Sequence, residues 1–206
     1  MVMETRINDG LPGYQLYDHL LVLTPPEELW GRLMKLKEEF AEKFKTDHAR
    51  WTRPQIILAS FRQYAMMEER IVNRLSNIAM SFPPFKVELK DFGSFPSHTV
   101  YINVSSRLPI QKLVRTIRTE AQRLMKLDEL NKPQFMMEPH ITIGRKLVPW
   151  QYEKSWLEFS QRHFSGKFIA DNMLLLKKAE NESRFHVAER FDFQNLPVVT
   201  KQGELF

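Results

Sequence analysis

Apolar and polar positions along the chain follow two different periods, and the first quarter of the sequence already contains both. Residues 17–24 form a short apolar run that Pro25 and Pro26 end, as expected of a mostly buried strand. A helix should follow, because Glu27 and Glu28 suit the positive end of a helix dipole and apolar residues then recur at helical spacing. This apolar stripe, which we assign to the core, consists of Leu29, Leu33, Leu36, Phe40 and Phe44.

The rest of the sequence continues to alternate between strand and helix patterns. Strands are predicted at residues 55–61, 85–90, 98–104, 139–147, 167–179 and 183–193, and helices at residues 66–82, 109–124 and 150–164. Residues 93–97 are rich in turn formers, and we expect residues 125–138 to form a loop. The chain is therefore predicted to mix strands and helices throughout.

Length and composition favour one folded domain. With 206 residues, of which 43% are hydrophobic and 15 are Phe, the chain can bury a continuous core on its own. We expect that domain at residues 17–193, between an N-terminal lead at residues 1–16 and a C-terminal tail at residues 194–206.

Several classes of protein are excluded by what the sequence lacks. It has no cysteine, which rules out disulfides, thiolate zinc sites and cysteine nucleophiles. It has no run of eighteen apolar residues and a charged N-terminal segment, so we expect no membrane span, no secretion signal and a cytoplasmic location. Neither a Gly-rich phosphate loop nor a Gly-x-Ser-x-Gly motif occurs, which gives the corresponding enzyme classes no support.

The charge of the chain has the sign expected of a protein that binds phosphates. Thirty Lys and Arg against twenty-five Asp and Glu give a formal net charge of +5, and the sequence pI is near 9.4. Many basic proteins bind no polyanion, so this observation carries little weight alone.

An internal repeat is the most informative feature of the sequence. The order of strand, helix, long connection and proline-introduced strand occurs twice, and residues 54–58 (PQIIL) fall on residues 139–143 (PHITI). The two strands differ at two polar positions, where His140 and Thr142 correspond to Gln55 and Ile57. Because residues i and i+2 of a strand face the same side, each pair should point together, and we expect the two pairs to line one cleft.

The strand around His140 and Thr142 resembles the His-x-Thr/Ser motif of the 2H phosphoesterase superfamily. That superfamily includes the 2′-5′ RNA ligases, which are RNA 2′,3′-cyclic phosphodiesterases, and the resemblance covers roughly residues 17–193. It implies an α+β fold of two pseudo-symmetric lobes, with antiparallel sheets lining a central cleft and helices outside. It also implies an RNA end or a nucleotide phosphate as the ligand, and neither a metal nor a cofactor.

The chemistry of the family explains why the first motif matters. Opening a cyclic phosphate requires one group that takes a proton from water and another that gives a proton to the leaving oxygen. Imidazole suits both roles, and threonine hydroxyls suit the phosphate oxygens. Gln55 has no proton to exchange near neutral pH, although its amide can donate a hydrogen bond. We therefore expect His140 and Thr142 to be the catalytic-type pair and turnover to be impaired.

Three further residues are candidates for substrate binding. Arg145, three residues beyond Thr142, could reach a phosphate at the edge of the cleft, and a solvated surface arginine is the competing interpretation. Tyr101 could stack on a base, or belong to the core. His98 precedes a threonine directly, so the two side chains face opposite sides, and a structural role is favoured over a catalytic one.

The sequence leaves three functions open. The first is a degenerate 2H module that binds RNA ends or nucleotides through His140, Thr142 and Gln55. The second is an active cyclic phosphodiesterase in which His140 works with another group. The third is an interaction protein that retains only the shape of the cleft.

Overall fold

The computed structural model describes residues 13–46 and 52–196 as one sheet with helices packed against it. Most of the predicted lead and tail, residues 1–12 and 197–206, lies outside the described residues. The helices are α1 (Glu27–Phe44), α2 (Glu68–Ser81), α3 (Arg107–Met125) and α4 (Pro149–Phe159). The strands are β1 (Leu16–Leu23), β2 (Ile56–Tyr64), β3 (Phe85–Phe95), β4 (Thr99–Val104), β5 (Gln134–Phe135), β6 (His140–Gly144), β7 (Ser165–Ala170), β8 (Asn172–Ala179) and β9 (His186–Asp192).

The strand pairs of the described residues are antiparallel, and their order divides the sheet into two halves. The order is β7-β3-β4-β6-β2-β1-β8-β9, and β5 pairs with β2. Strands β7, β3, β4 and β6 form one half, and strands β2, β1, β8 and β9 form the other. The halves meet where β2 lies beside β6. The α+β class with two lobes, antiparallel strands and external helices is thereby confirmed.

The internal repeat predicted from the sequence is present in the structure. The unit β1-α1-β2 recurs as β4-α3-β6, and the two strands of each unit pair with each other. Each helix also crosses to the other half, since α1 packs against β6 and α3 packs against β2. The motif strand of each repeat therefore packs against the helix of the other repeat.

Several predicted boundaries differ from those of the structure. The strand predicted at residues 167–179 is two strands, β7 and β8, which separate at Asp171. They belong to different halves, because β7 pairs with β3 and β8 pairs with β1. The turn predicted at residues 93–97 begins later, because β3 continues to Phe95 on hydrogen bonds to β4, and the predicted loop at residues 125–138 contains β5. An unbroken apolar pattern does not reveal a change of pairing partner.

The core lies on one face of the sheet, beneath the helices. Ile56, Ile141 and Ile102 pair across the three central strands and are fully buried, so they share that face. Phe40 of α1 packs so tightly on Gly144 that a side-chain carbon at this glycine would overlap the ring. The alternate residues of the same strands point to the opposite face, which is where the site is found.

A buried histidine lies within the sheet, at a distance from the motif strands. His19 of β1 is 2% exposed and stacks on Phe61 of β2, with ring centroids 4.7 Å apart. Within the described residues neither ring nitrogen has a hydrogen-bond partner, which differs from the hydrogen-bonded role that strand histidines usually have. Burial lowers the pKa of His19 from 6.5 to about 4; Glu68 opposes the shift and Lys177 contributes to it.

We predict that His19 makes the protein less stable in mild acid. Between pH 6.5 and about 4 the unfolded chain takes up a proton that folded His19 does not, so stability falls as pH falls. The shift corresponds to about 3 kcal/mol over the interval. Urea unfolding of wild type and His19→Phe at pH 7.5 and 4.5 should reveal a larger loss for wild type. A difference between the two proteins that is the same at both pH values would contradict this role.

Candidate functional site

The four motif residues lie on one face of the sheet at the junction of its two halves. Ile56 pairs with Ile141 in an antiparallel ladder, which sets Gln55 opposite Thr142 and Ile57 opposite His140. All four of these flanking residues are partly exposed, whereas the paired isoleucines are fully buried. The predicted facing pairs are thus brought together on the face that the core leaves open.

A single hydrogen bond fixes the tautomer of the neutral His140 ring. Its Nδ1 lies 2.7 Å from the backbone oxygen of Glu138, and a carbonyl oxygen only accepts, so Nδ1 carries the hydrogen. Burial lowers the pKa of His140, and the carbonyl and carboxylate of Glu138 partly oppose that shift. The neutral ring therefore leaves Nε2 free to accept a proton, as a general base requires.

Aromatic contacts hold the His140 ring in place. The centroid of Phe95 lies 5.1 Å from that of His140 in an edge-on arrangement, and the centroid of Tyr101 lies 4.8 Å away. Phe95 and Tyr101 are themselves 4.7 Å apart. A cluster of three rings, one from each of β3, β4 and β6, therefore forms one wall of the site.

Tyr101 owes its position to a glycine on the neighbouring strand. It pairs with Thr142 on one side and with Gly93 on the other. A side-chain carbon at Gly93 would lie 2.6 Å from the Tyr101 ring and 2.7 Å from the Asn103 amide oxygen, so only glycine leaves room for both. Burial raises the pKa of Tyr101, and the nearby Glu138 carboxylate adds to this shift while Arg107 opposes it. The tyrosine is therefore protonated at neutral pH and can donate a hydrogen bond.

Asn103 is a site residue that the sequence analysis missed. It pairs directly with His140 across β4 and β6, and it is partly exposed on the same face. Its amide adds a donor and an acceptor beside the imidazole. Strand spacing could have identified Asn103 as a candidate, because it lies two residues after Tyr101 on a predicted strand and both side chains therefore share one face.

Lys37 was also missed, because it lies within the apolar stripe of α1. It is 1% exposed, and its Nζ donates to the backbone oxygen of Thr142 at 2.9 Å and to Thr52 Oγ1 at 2.8 Å. Burial, together with a smaller effect of the positive charge on Arg145, lowers the pKa of Lys37 from 10.5 to about 8. The ammonium thus connects β6 to the segment that leads into β2, from behind the site.

Arg145 and His98 lie at one end of the motif strands. Arg145 is exposed and follows β6 directly, while His98 is exposed in the turn before β4. His98 Nδ1 contacts Thr99 Oγ1 at 2.6 Å, and its ring centroid lies 6.4 Å from that of Phe95. His98 therefore lies next to the aromatic wall at Phe95.

Among the described residues at this junction, His140 is the side chain that can exchange a proton near neutral pH. His140 can exchange a proton, and Thr142, Tyr101 and Asn103 can hydrogen-bond a phosphate. The position opposite Thr142 carries the amide of Gln55, and Ile57 makes the wall beside it apolar. No group of three or more histidine or carboxylate side chains is arranged to hold a metal ion within the described ranges, and no described helix is long and apolar enough for a bilayer crossing.

Comparison with known proteins gives a consistent result. Residues 25–182 match the 2′-5′ RNA ligase superfamily. A protein of Geobacillus kaustophilus named "Putative phosphoesterase GK0864" is 24% identical over 166 residues, which span 79% of this chain and 89% of that protein. A "Putative phosphoesterase" of Geobacillus thermodenitrificans is 26% identical over 117 residues, or 56% of this chain and 64% of that protein.

Solved structures support the same fold. LigT of E. coli in complex with 3′-AMP superposes with a TM-score of 0.58 at 18% identity, and the match covers 87% of this chain and 98% of LigT. The protein TT0787 of Thermus thermophilus gives a TM-score of 0.59 at 17% identity, covering 86% and 98% of the two chains. LigT is also known in complexes with NADP+, ATP and phosphate.

We predict that the charge on Lys37 makes the protein less stable at neutral pH than in mild alkali. Between pH 8 and 10.5 folded Lys37 has lost a proton that the unfolded chain still holds, so raising the pH across this interval favours the folded state. The gain is about 3 kcal/mol, and Lys37→Met should lack it. Urea unfolding at pH 7.5 and 10 measures the difference between the two proteins.

The exposed Lys35 on the same helix supplies the control. The Lys35→Met variant should follow wild type at both pH values. If the free energy of unfolding of Lys37→Met changed with pH as that of wild type does, the buried ammonium would not be the cause of the lower stability at neutral pH.

Proposed function

Because the chain belongs to the 2′-5′ RNA ligase superfamily, we propose that its central face binds the phosphate of a nucleotide or RNA end and has lost efficient turnover. In this proposal His140 and Thr142 contact the phosphate from β6, and Gln55 contributes an amide donor from the other repeat. Arg145 and His98 lie at the edge of the site, and Tyr101 contributes its ring and hydroxyl.

The observation that carries the proposal is the pairing of an intact motif with an altered one across the β2–β6 junction. The Nδ1–H of His140 is held by the Glu138 carbonyl, which leaves Nε2 as the nitrogen able to meet a ligand. Directly across the junction the register sets Gln55 opposite Thr142 and Ile57 opposite His140, and we take these to be the positions that a second imidazole and hydroxyl would occupy. In this proposal the geometry of a phosphate site is retained while one of its two proton carriers is absent.

The proton transfers of the reaction explain how a phosphate can still be bound when hydrolysis has become slow. Hydrolysis of a cyclic phosphodiester moves one proton from water to a base and delivers one to the departing sugar oxygen. His140 can perform one of these transfers, whereas an amide performs neither near neutral pH. Losing a positioned acid or base lowers a rate by about two to four orders of magnitude. Hydrogen bonds to the phosphate need no proton transfer and are unaffected.

The ligands seen in a structural relative support the choice of ligand class. The LigT complexes with 3′-AMP, NADP+, ATP and phosphate each contain a phosphate group, alone or on a nucleotide. A phosphate group is anionic, which agrees with the positive formal charge of this chain. A 2′,3′-cyclic mononucleotide is therefore a suitable first probe.

We predict that wild type binds 2′,3′-cyclic AMP and that His140→Gln binds it about ten-fold or more weakly, because a charge-assisted hydrogen bond is lost. A bound phosphate favours the imidazolium, so affinity for wild type should rise as pH falls from 8 to 5.5. Calorimetric titration at several pH values measures both effects. His163→Gln, which alters an exposed histidine paired with Asp91, is the matched control. Equal affinities for wild type and His140→Gln would refute the assignment of the site.

We predict that Gln55→His combined with Ile57→Thr raises hydrolysis of 2′,3′-cyclic nucleotides by about a hundred-fold or more, because both proton carriers are then present. Initial rates on 2′,3′-cyclic AMP provide the measurement. Adding His140→Ala to the same variant should remove the gain. A double variant that folds and binds like wild type but hydrolyses no faster would mean that the altered motif is not what limits turnover.

A further inference from the structure

Helix α1 contains a buried positive charge that has no negative partner among the residues that the structure describes. Lys37 is 1% exposed, and its Nζ donates to two uncharged oxygens, the backbone oxygen of Thr142 and the hydroxyl of Thr52. No described carboxylate forms an ion pair with this ammonium, and the charged group that acts on it, Arg145, is also positive. Buried charges are normally paired with opposite charges, so the position of Lys37 calls for an explanation.

The ammonium lies behind the proposed phosphate site, where the two motif segments meet. Helix α1 packs against β6 from the core side, and Lys37 reaches the backbone oxygen of Thr142 from there. The side chain of Thr142 is partly exposed on the opposite face of the sheet. Thr52, the second partner of Lys37, lies three residues before Gln55 on the segment that leads into β2. The backbone of one strand therefore separates the ammonium from the face that is proposed to bind phosphate.

The other ionisable groups around this position lie on β6, on β4 and on the side of α1 that meets α4. His140 belongs to β6 and Tyr101 to β4, while the ion pairs between α1 and the region of α4 involve the exposed Glu39 and Lys43. Burial lowers the pKa of His140 and raises that of Tyr101, so in the free protein neither changes its charge between pH 7.5 and 9.5. Burial lowers the pKa of Lys37 to about 8, so this ammonium loses its charge in the same interval.

We propose that the Lys37 ammonium is the counter-charge of the bound phosphate, which it attracts across the backbone of Thr142 without touching the ligand. The inference rests on the proposed function and adds a positioning residue that favours anionic ligands. The phosphate supplies the negative charge that Lys37 lacks in the free protein.

The expected size of this attraction follows from Coulomb's law. At a separation of roughly 7 Å and an effective dielectric constant of about 20, the attraction between two unit charges corresponds to a factor of about fifty in affinity. Solvent ions screen part of it, so we expect the charge on Lys37 to raise the affinity for a monoanion about ten-fold.

The affinity for 2′,3′-cyclic AMP between pH 7.5 and 9.5 tests the proposal, because the phosphodiester of this ligand keeps one negative charge throughout. Affinity for wild type should fall about five-fold across this interval as Lys37 loses its proton. Lys37→Met should bind about five- to ten-fold more weakly than wild type at pH 7.5 and should not show that fall. Lys35→Met, which alters an exposed lysine of the same helix, should follow wild type.

Proton uptake on binding gives a second readout. A phosphate near Lys37 stabilises the charged form, so wild type at pH 8.5 should take up about half a proton for each ligand bound. Calorimetry in two buffers of different ionisation enthalpy measures this number. Lys37→Met should take up close to none, whereas Lys35→Met should match wild type.

The two readouts separate an electrostatic role of Lys37 from a merely structural one. If Lys37 only held Thr142 in place, Lys37→Met would bind more weakly by the same factor at every pH, and proton uptake would be the same as in wild type. Either that result or equal affinities at pH 7.5 would overturn the inference and leave the proposed function standing, because wild type would still bind. If wild type does not bind 2′,3′-cyclic AMP at any pH, both are refuted. The pH dependence and the proton uptake of wild type test the inference even if Lys37→Met fails to fold.

Discussion

The short contact between β2 and β6 is the constraint on which the rest of the structure depends. Within the described residues these strands are bridged at one pair, Ile56 and Ile141, which joins two half-sheets that each have their own ladder of hydrogen bonds. A shift of one residue at this pair would turn His140 and Thr142 toward the core and Ile141 toward solvent. Burial of both isoleucines therefore fixes the register, and the register in turn fixes which side chains form the site.

Two devices reinforce this short junction from the core side. Each repeat places its helix under the motif strand of the other repeat, so the halves cannot separate without exposing the faces of α1 and α3. Lys37 adds a polar connection, because its ammonium joins the Thr142 carbonyl to Thr52, just before β2. An ammonium in this position is costly to desolvate. Hydrogen bonds that hold both motif segments partly offset that cost, which ties the stability of the fold to the geometry of the site.

The periods of apolar residues in the sequence predicted the elements and the faces of their side chains, but they did not predict which strands pair in the folded chain. The repeat, the helices and the facing of His140 with Thr142 followed from spacing, because strand and helix periods place side chains on defined faces. The crossing at Asp171 could not be predicted, since residues 167–179 keep a strand-like pattern while the chain changes partner. Lys37 was missed because a charged residue beside an apolar stripe normally extends its charged end into solvent, whereas the ammonium of Lys37 is buried. Strand spacing already puts Asn103 on the same face as Tyr101, but its place beside His140 follows from the register between β4 and β6.

In the proposed function, the asymmetry of the site reflects a change in use rather than decay. The half of the site around His140 has several supporting interactions. The Nδ1–H of His140 is bound, its ring is packed by Phe95 and Tyr101, and Gly93 still leaves room for Tyr101. A single hydrogen bond of this kind adds only about 1 kcal/mol to the free energy of unfolding. Stability alone is therefore a weak reason to half-bury a polar ring here. These features hold the His140 imidazole in one orientation, as the proposed phosphate-binding role requires.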